Sequence, residues 1–261
     1  MTDRALVDAA LSRDVASIIH LAALPGGAAE ADPSLSFDVN VAGSATLMRR
    51  AAECLDRPRF VFASSIAVLG NPLPKDGVTD ETTPQPTLIY GIHKQMTEAH
   101  LDGMTHRGDL DGLAIRLPGI VARPSGNSGL KSAFMSDVFH ALNSHRHFVS
   151  PVSAEAELWL MSNAQISTCL LHALDLDETR LTGPRVFNLP ALHISMKTLV
   201  SEIADQTGAA PDLVTYTSDA KLEAAFGRYP PLSARTAERA GFRQDGDVKT
   251  LVHNALTHRS V

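Results

Sequence analysis

The run Phe60-Val61-Phe62-Ala63 is apolar at every position and ends in a pair of serines, Ser64 and Ser65. A strand without a polar side has both faces buried, which requires a sheet covered on both faces by other elements. Three more runs read as buried strands: Ser17-Ile18-Ile19-His20-Leu21-Ala22-Ala23, Leu113-Ala114-Ile115-Arg116-Leu117 and Arg185-Val186-Phe187-Asn188-Leu189. Between them lie helical patterns. Asp3 to Asp14 reads as an amphipathic helix, Ser34 to Leu55 repeats Phe37, Val41, Ala45, Met48 and Ala52 at helical spacing, and Tyr90 to His106 reads as a third helix. Strands alternating with helices imply an α/β fold with a doubly wound parallel sheet. Ligands of such sheets gather at the carboxyl ends of the strands, where Ser64 and Ser65 would lie.

Tyr90-Gly91-Ile92-His93-Lys94 supplies chemistry at the start of that third helix. Residues four apart share a helix face, so the Tyr90 phenol and the Lys94 ammonium point into one space. A neighbouring cation favours phenolate, and a phenol that ordinarily titrates near ~10 needs such help to act as a base at neutral pH. A serine hydroxyl can then hold the substrate oxygen whose proton is moving. Asn40 is the other polar residue out of place, since a mid-helix Asn competes for backbone hydrogen bonds and asks for another role.

Composition narrows the partners. With 261 residues, 44% hydrophobic and 20% charged, the chain can bury one or two ordinary cores. A net charge of −6 argues against nucleic acid or an anionic membrane surface and leaves a small-molecule ligand. No apolar run approaches ~18 residues, and no charged-then-apolar leader occurs, so neither membrane spanning nor secretion is expected. Cys54 and Cys169 fall in apolar helical patterns and fit reduced thiols of a cytoplasmic protein. His140, His145 and His147 cluster without carboxylate or Cys partners at ligand spacing, so no metal site is expected.

Several motifs occur in register: the strand ending in Ser64-Ser65, then Ala67-Val68-Leu69-Gly70, a loop from 71 to 88 with Thr79-Asp80-Glu81-Thr82-Thr83-Pro84, then Tyr90 to Lys94. In order and spacing they resemble the extended short-chain dehydrogenase/reductase superfamily, specifically its NAD-dependent epimerase/dehydratase group. The resemblance implies a Rossmann-like fold with NAD as cofactor (NADP left open), Ser65 as the catalytic hydroxyl, and Lys94 holding the nicotinamide ribose while lowering the Tyr90 pKa. It further implies that Leu21, Ala22 and Ala23 close over the dinucleotide, that Ser64 and Pro118 border the cofactor, and that Asn40 supports the lysine and its water. A homodimer through the 34–55 and Tyr90 helices is a further implication.

The family's opening strand, glycine-rich turn and helix are missing, since Gly26 and Gly27 do not introduce a helix at the required spacing. The expectation is therefore an N-terminally truncated Rossmann-like sheet, a fragment of a longer enzyme, with unpaired strand edges where two central strands would stand. The partial NAD-binding domain is expected over 1–124 and 183–190. A small discontinuous α/β substrate lobe is expected over 125–182 and 191–261, with helices near 131–142, 164–175, 195–206 and 247–257, strands at 157–162 and 213–216, and a flexible loop at Ser125–Gly129.

For the substrate, a diphosphate needs several Arg or Lys donors, and between Ser132 and Arg180 this chain offers only Arg146. Runs such as Arg116-Leu117-Pro118-Gly119-Ile120-Val121-Ala122-Arg123-Pro124 are similar to members that oxidise C2 of a four-carbon sugar acid such as D-erythronate. Arg123 and Lys131 are candidates for its carboxylate, although either could be a solvated surface charge. Two alternatives stay open: a nucleotide-sugar epimerase or dehydratase, and a cofactor-free binding or regulatory protein.

Overall fold

The computed structural model describes residues 4–11, 15–124, 126, 130–177, 181, 183 and 185–257. In chain order the elements are α1 (Arg4–Ala10), β1 (Ser17–His20), α2 (Gly26–Ala31), α3 (Pro33–Ser36), a π-helical turn (Phe37–Gly43), α4 (Ser44–Cys54), β2 (Arg59–Ser65), a 3-10 turn (Ile66–Leu69), α5 (Ile89–His106) and β3 (Asp111–Leu117). There follow β4 (Gly119–Val121), α6 (Phe134–Asn143), β5 (Phe148–Ser150), β6 (Glu157–Ser162), α7 (Asn163–Asp175), β7 (Val186–Asn188), β8 (Leu192–Ser195), α8 (Met196–Thr207), a second 3-10 turn (Pro211–Leu213), β9 (Val214–Tyr216), α9 (Ala220–Phe226), α10 (Arg235–Arg239) and α11 (Val248–Thr257). The chain divides into two compact units, one of Met1–Gly70, Thr82–Leu117 and Leu170–Asn188, the other of Asn71–Glu81, Pro118–Cys169 and Leu189–Val261.

The first unit is an α/β layer built on a parallel sheet of order β1-β2-β3-β7. Phe60 to Ser64 are all buried, as an apolar central strand requires. Met48 from α4 and Leu101 and Met104 from α5 close over Phe60, Phe62, Leu110 and Ala114. Polar contacts fix the amino ends of the strands. Arg59 Nε donates to Asp111 Oδ2 at 2.8 Å, while its Nη atoms reach the carbonyls of Ala173 and Leu176, both at 2.7 Å, and so cap the carboxyl end of α7. Among the described residues β1 is paired on one side only, with β2.

The second unit holds a three-stranded sheet, with β4 parallel and β8 antiparallel to β6, and a separate parallel pair of β5 and β9. Its core joins Phe134, Phe139, Leu158, Leu160, Leu199, Ile203 and Leu251. Trp159 is fully buried, with its indole N–H donated to the Pro230 carbonyl at 2.7 Å. Asp245 is a buried clasp: it accepts from Ser162 N at 2.9 Å, Ser162 Oγ at 2.5 Å and Asn254 Nδ2 at 2.9 Å.

The structure differs from the sequence expectations at several points. The strand from Ser17 stops at His20, and the helix expected over 34–55 is three pieces with the π turn in the middle. The short elements α2, β4, β5, β8, α9 and α10 carry too few residues for a periodic signal. The ends of the Asp3–Asp14 helix, most of the Ser125–Gly129 loop and Pro184 lie outside the described residues. Unit boundaries also shift. Residues 71–81 join the second unit, where Val78 bridges to Leu232 and Asp80 accepts from Thr236 N at 2.8 Å, and 118–124 join it because β4 pairs with β6. Residues from Leu170 to the end of α7 join the first unit instead, where Arg59 grips Ala173.

Candidate active site

The carboxyl end of β2 and the first turns of α5 bring Ser65, Tyr90 and Lys94 into one unit. Gly91 makes the close approach between them feasible: a Cβ at that position would overlap the carbonyl oxygen of Ala67, two residues beyond Ser65. α5 begins at Leu88 without a side-chain cap, and Glu30 Oε1 of α2 accepts from the Tyr90 N–H at 3.4 Å, placing a carboxylate at the positive end of the helix. Ser65 is half-buried and caps the following 3-10 turn, its Oγ accepting from Ala67 N at 3.1 Å. That bond uses an oxygen lone pair, not the hydroxyl proton.

Lys94 is only 3% exposed. Its Nζ donates to the Ala63 carbonyl at 2.7 Å and stands 4.6 Å from the Phe62 ring centroid and 5.5 Å from that of Tyr90. Burial pulls the ammonium from its ordinary range down to about 8, while the carboxylate of Glu98 pulls it up. The group is thus a cation at neutral pH, held between two aromatic faces and a carbonyl. His20 at the end of β1 is buried too, edge-on to the Phe60 ring and tilted against that of Phe62, with Nε2 2.9 Å from Ser44 Oγ; burial first, then the Lys94 charge, pushes it down to about 4. It is neutral at pH 7 and does not compete with Lys94 as a local cation.

Asn40 is buried. Its side chain accepts from Leu24 N at 2.7 Å and donates to Leu24 O at 3.0 Å and Ser36 Oγ at 3.1 Å, so it pins the segment after β1. The π turn leaves the Asn40 carbonyl available, and it accepts from Thr97 Oγ1 of α5 at 3.0 Å and from Ser44 Oγ at 2.7 Å. Leu21, Ala22 and Ala23 follow β1 as part of the segment pinned at Leu24, with Leu21 56% exposed. The Ser64 side chain is buried and donates to Glu98 Oε1.

Pro118, Arg123 and Lys131 belong to the second unit. Pro118 directly follows β3 in the chain. Arg123 Nη2 donates to the Ser132 carbonyl at 3.1 Å, its backbone oxygen meets His140 Nε2 at 2.7 Å, and Lys131 is exposed. Among the described residues no group of three or more His, Cys, Asp or Glu could hold a metal, both cysteines are free thiols, and no helix is long and apolar enough to cross a membrane. Glu98, Arg116 and Gly91 have no role among the sequence expectations. The available signals were Glu98 four residues beyond Lys94 and a charge, Arg116, inside an otherwise apolar strand.

The burial of Lys94 has a measurable consequence. Between about pH 8 and 10.5 the unfolded chain carries a proton on residue 94 that the folded chain has released, so stability rises with pH across that window and the destabilising contribution is fully present below it. Lys94→Met is expected to flatten that rise and to be about 1 kcal/mol more stable at pH 7, after allowing for the Ala63 carbonyl left without its donor. Urea denaturation of both proteins at pH 7 and at pH 10 checks this; an unchanged slope would contradict it.

Comparison with known proteins places the chain in a family. The family model described as the NAD dependent epimerase/dehydratase family matches residues 1–176. D-erythronate dehydrogenase from Cupriavidus necator is 34% identical over 256 residues, covering 97% of this chain and 78% of that protein, and the Haemophilus influenzae enzyme of the same name is 27% identical over 254 residues, covering 97% and 80%. Among solved structures, the nucleoside-diphosphate-sugar epimerase from Agrobacterium tumefaciens superposes with a TM-score of 0.85 at 27% identity, covering 95% of this chain and 73% of that one. With the Tyr90 and Lys94 pair, the serine-ended strand and the parallel sheet all in place, the chain belongs to the NAD-dependent epimerase/dehydratase family.

Proposed function

We propose that this chain is the catalytic part of an NAD-dependent dehydrogenase that oxidises a secondary hydroxyl of a small sugar acid, D-erythronate or a close analogue. The observation that carries the reading is Lys94, a buried cation 5.5 Å from the Tyr90 ring, beside a strand that ends in Ser65. The likeness to two proteins named D-erythronate dehydrogenase over nearly the whole chain supports the substrate class. Tyr90 takes the proton of the substrate hydroxyl, Ser65 donates a hydrogen bond to the same oxygen, and Lys94 supplies the positive charge that favours phenolate. NAD, when bound, accepts the hydride.

The chain's residues fit the nicotinamide-ribose end of that cofactor. Tyr90 and Lys94 would hold the ribose hydroxyls, and the segment Leu21 to Ala23, exposed at Leu21 and Ala22 and pinned through Leu24 by Asn40, offers small side chains and apolar surface. The glycine-rich turn that binds pyrophosphate does not occur in the sequence, and β1 has a partner on one side only among the described residues. Both observations support the proposal that the chain is part of a longer enzyme. Arg123 and Lys131 are proposed as the cations for the substrate carboxylate. The likeness to a nucleoside-diphosphate-sugar epimerase favours a second reading on the same machinery, against which stands the scarcity of cations for a diphosphate.

NADH absorbance after adding D-erythronate and NAD⁺ tests the activity. The expected result is NADH formation that Tyr90→Phe lowers by about 100-fold or more in kcat. Turnover of a nucleotide sugar with no net NADH would instead support the epimerase reading, and inertness toward both in the enzyme with its pyrophosphate-binding turn present would favour a binding protein. We also propose a homodimer through α5 and the π turn, because Ile92 and Met96, four residues apart on one face of α5, are 37% and 43% exposed, and Phe37, 43% exposed, meets His93 between them. Sedimentation is expected to show a dimer that Met96→Glu with Ile92→Glu dissociates; a wild-type monomer would refute it.

A further inference from the structure

Glu98 and Arg116 have no part in the chemistry above, yet both are buried, together with Ser64 and Asn188. The Glu98 carboxylate accepts from Ser64 Oγ at 2.5 Å, Arg116 Nε at 3.0 Å and Arg116 Nη2 at 2.8 Å, and Arg116 Nη1 donates to Asn188 Oδ1 at 3.3 Å. The four residues come from β2, α5, β3 and β7. A buried ion pair is weak evidence of stabilisation, because desolvating both charges offsets most of their attraction and apolar replacements are often as stable. Its placement is the informative feature. Lys94 and Glu98, one turn apart on α5, grip Ala63 O and Ser64 Oγ, consecutive residues of β2, and the next residue is Ser65.

We propose that Glu98, held by Arg116, is a positioning residue: it fixes the end of β2 that presents Ser65 and sets a carboxylate one helical turn from the Lys94 ammonium. The proposal rests on the dehydrogenase reading for the reaction it serves, while the clamp itself stands on geometry in the first unit. The groups facing Lys94 are Tyr90 and Glu98 on its own helix and His20 from β1, with Arg116 of β3 bonded behind Glu98. His20 is neutral above about pH 4, so Glu98 is the charge that opposes the desolvation of Lys94.

The test is NMR titration of the protein carrying labelled lysine, with the Lys94 resonance assigned by its loss in Lys94→Met. Glu98→Gln is expected to lower the Lys94 titration midpoint by about one pH unit, because the opposing anion is gone and Arg116 stays. Arg116→Gln is expected to raise it. Ser64→Ala, which changes no charge, is expected to leave the midpoint in place while lowering kcat several-fold with little change in KM. A merely structural role predicts the opposite sign for Glu98→Gln, since a loosened, hydrated pocket moves a buried lysine back up toward 10.5. That upward shift, or none, would overturn the proposal even if Arg116→Gln fails to fold. Lys94 shifts of the expected sign in a protein that makes no NADH would leave the clamp standing and remove the dehydrogenase reading.

Discussion

A buried ammonium is the constraint around which the first unit is arranged. Moving a lysine head group out of water is costly, and Lys94 is tolerated at 3% exposure because three kinds of compensation converge on it. The Ala63 carbonyl accepts its hydrogen bond at 2.7 Å, Phe62 and Tyr90 present ring faces, and Glu98 supplies an anion one turn along the helix. Each of these fixes an element. The carbonyl ties α5 to β2, Phe62 comes from the middle of the same strand, and Tyr90 sits at the start of the helix. The place that is most expensive to build therefore lies against Tyr90 and two residues before Ser65 along β2.

The surrounding scaffold locks those elements with local polar bonds rather than long loops. The π turn at Phe37–Gly43 lets one residue, Asn40, hold the segment after β1 by its side chain and α5 by its backbone carbonyl. Gly91 removes the Cβ that would push the Ser65 turn away from the helix. Positions held by several bonds from rigid elements are what a reaction needs when proton acceptor, hydrogen-bond donor and cation must share one geometry.

Much of this was legible in the sequence because the physical periods are unambiguous there. Strand β2, with Phe60 to Ala63 apolar throughout, and helix α5, with Tyr90 and Lys94 four apart, appear where the pattern puts them, and β6 spans Glu157–Ser162 as expected. Illegible features arise from contacts between distant residues. Nothing in the 34–55 run distinguishes a π turn from an ordinary helix, and the bonds that accompany it, from Asn40 to Leu24 and Thr97, join residues far apart in sequence. Ser64 and Ser65 look alike in sequence; their opposite fates follow from strand alternation, which buries one against Glu98 and turns the other outward. The boundaries of the units were missed for a similar reason, as β4 has only three residues and its partner β6 lies forty residues on.

Proton removal at Tyr90 and hydride departure from the adjoining carbon are the two halves of the proposed reaction, and the arrangement of Ser65, Tyr90 and Lys94 is suited to holding one oxygen while both occur. The direct measurement is the fate of the hydrogen on that carbon. With D-erythronate deuterated at C2 and unlabelled NAD⁺, the account predicts that deuterium is recovered at C4 of the reduced nicotinamide, with a keto acid as co-product. Recovery of deuterium in solvent water, or its retention in unchanged substrate, would contradict it.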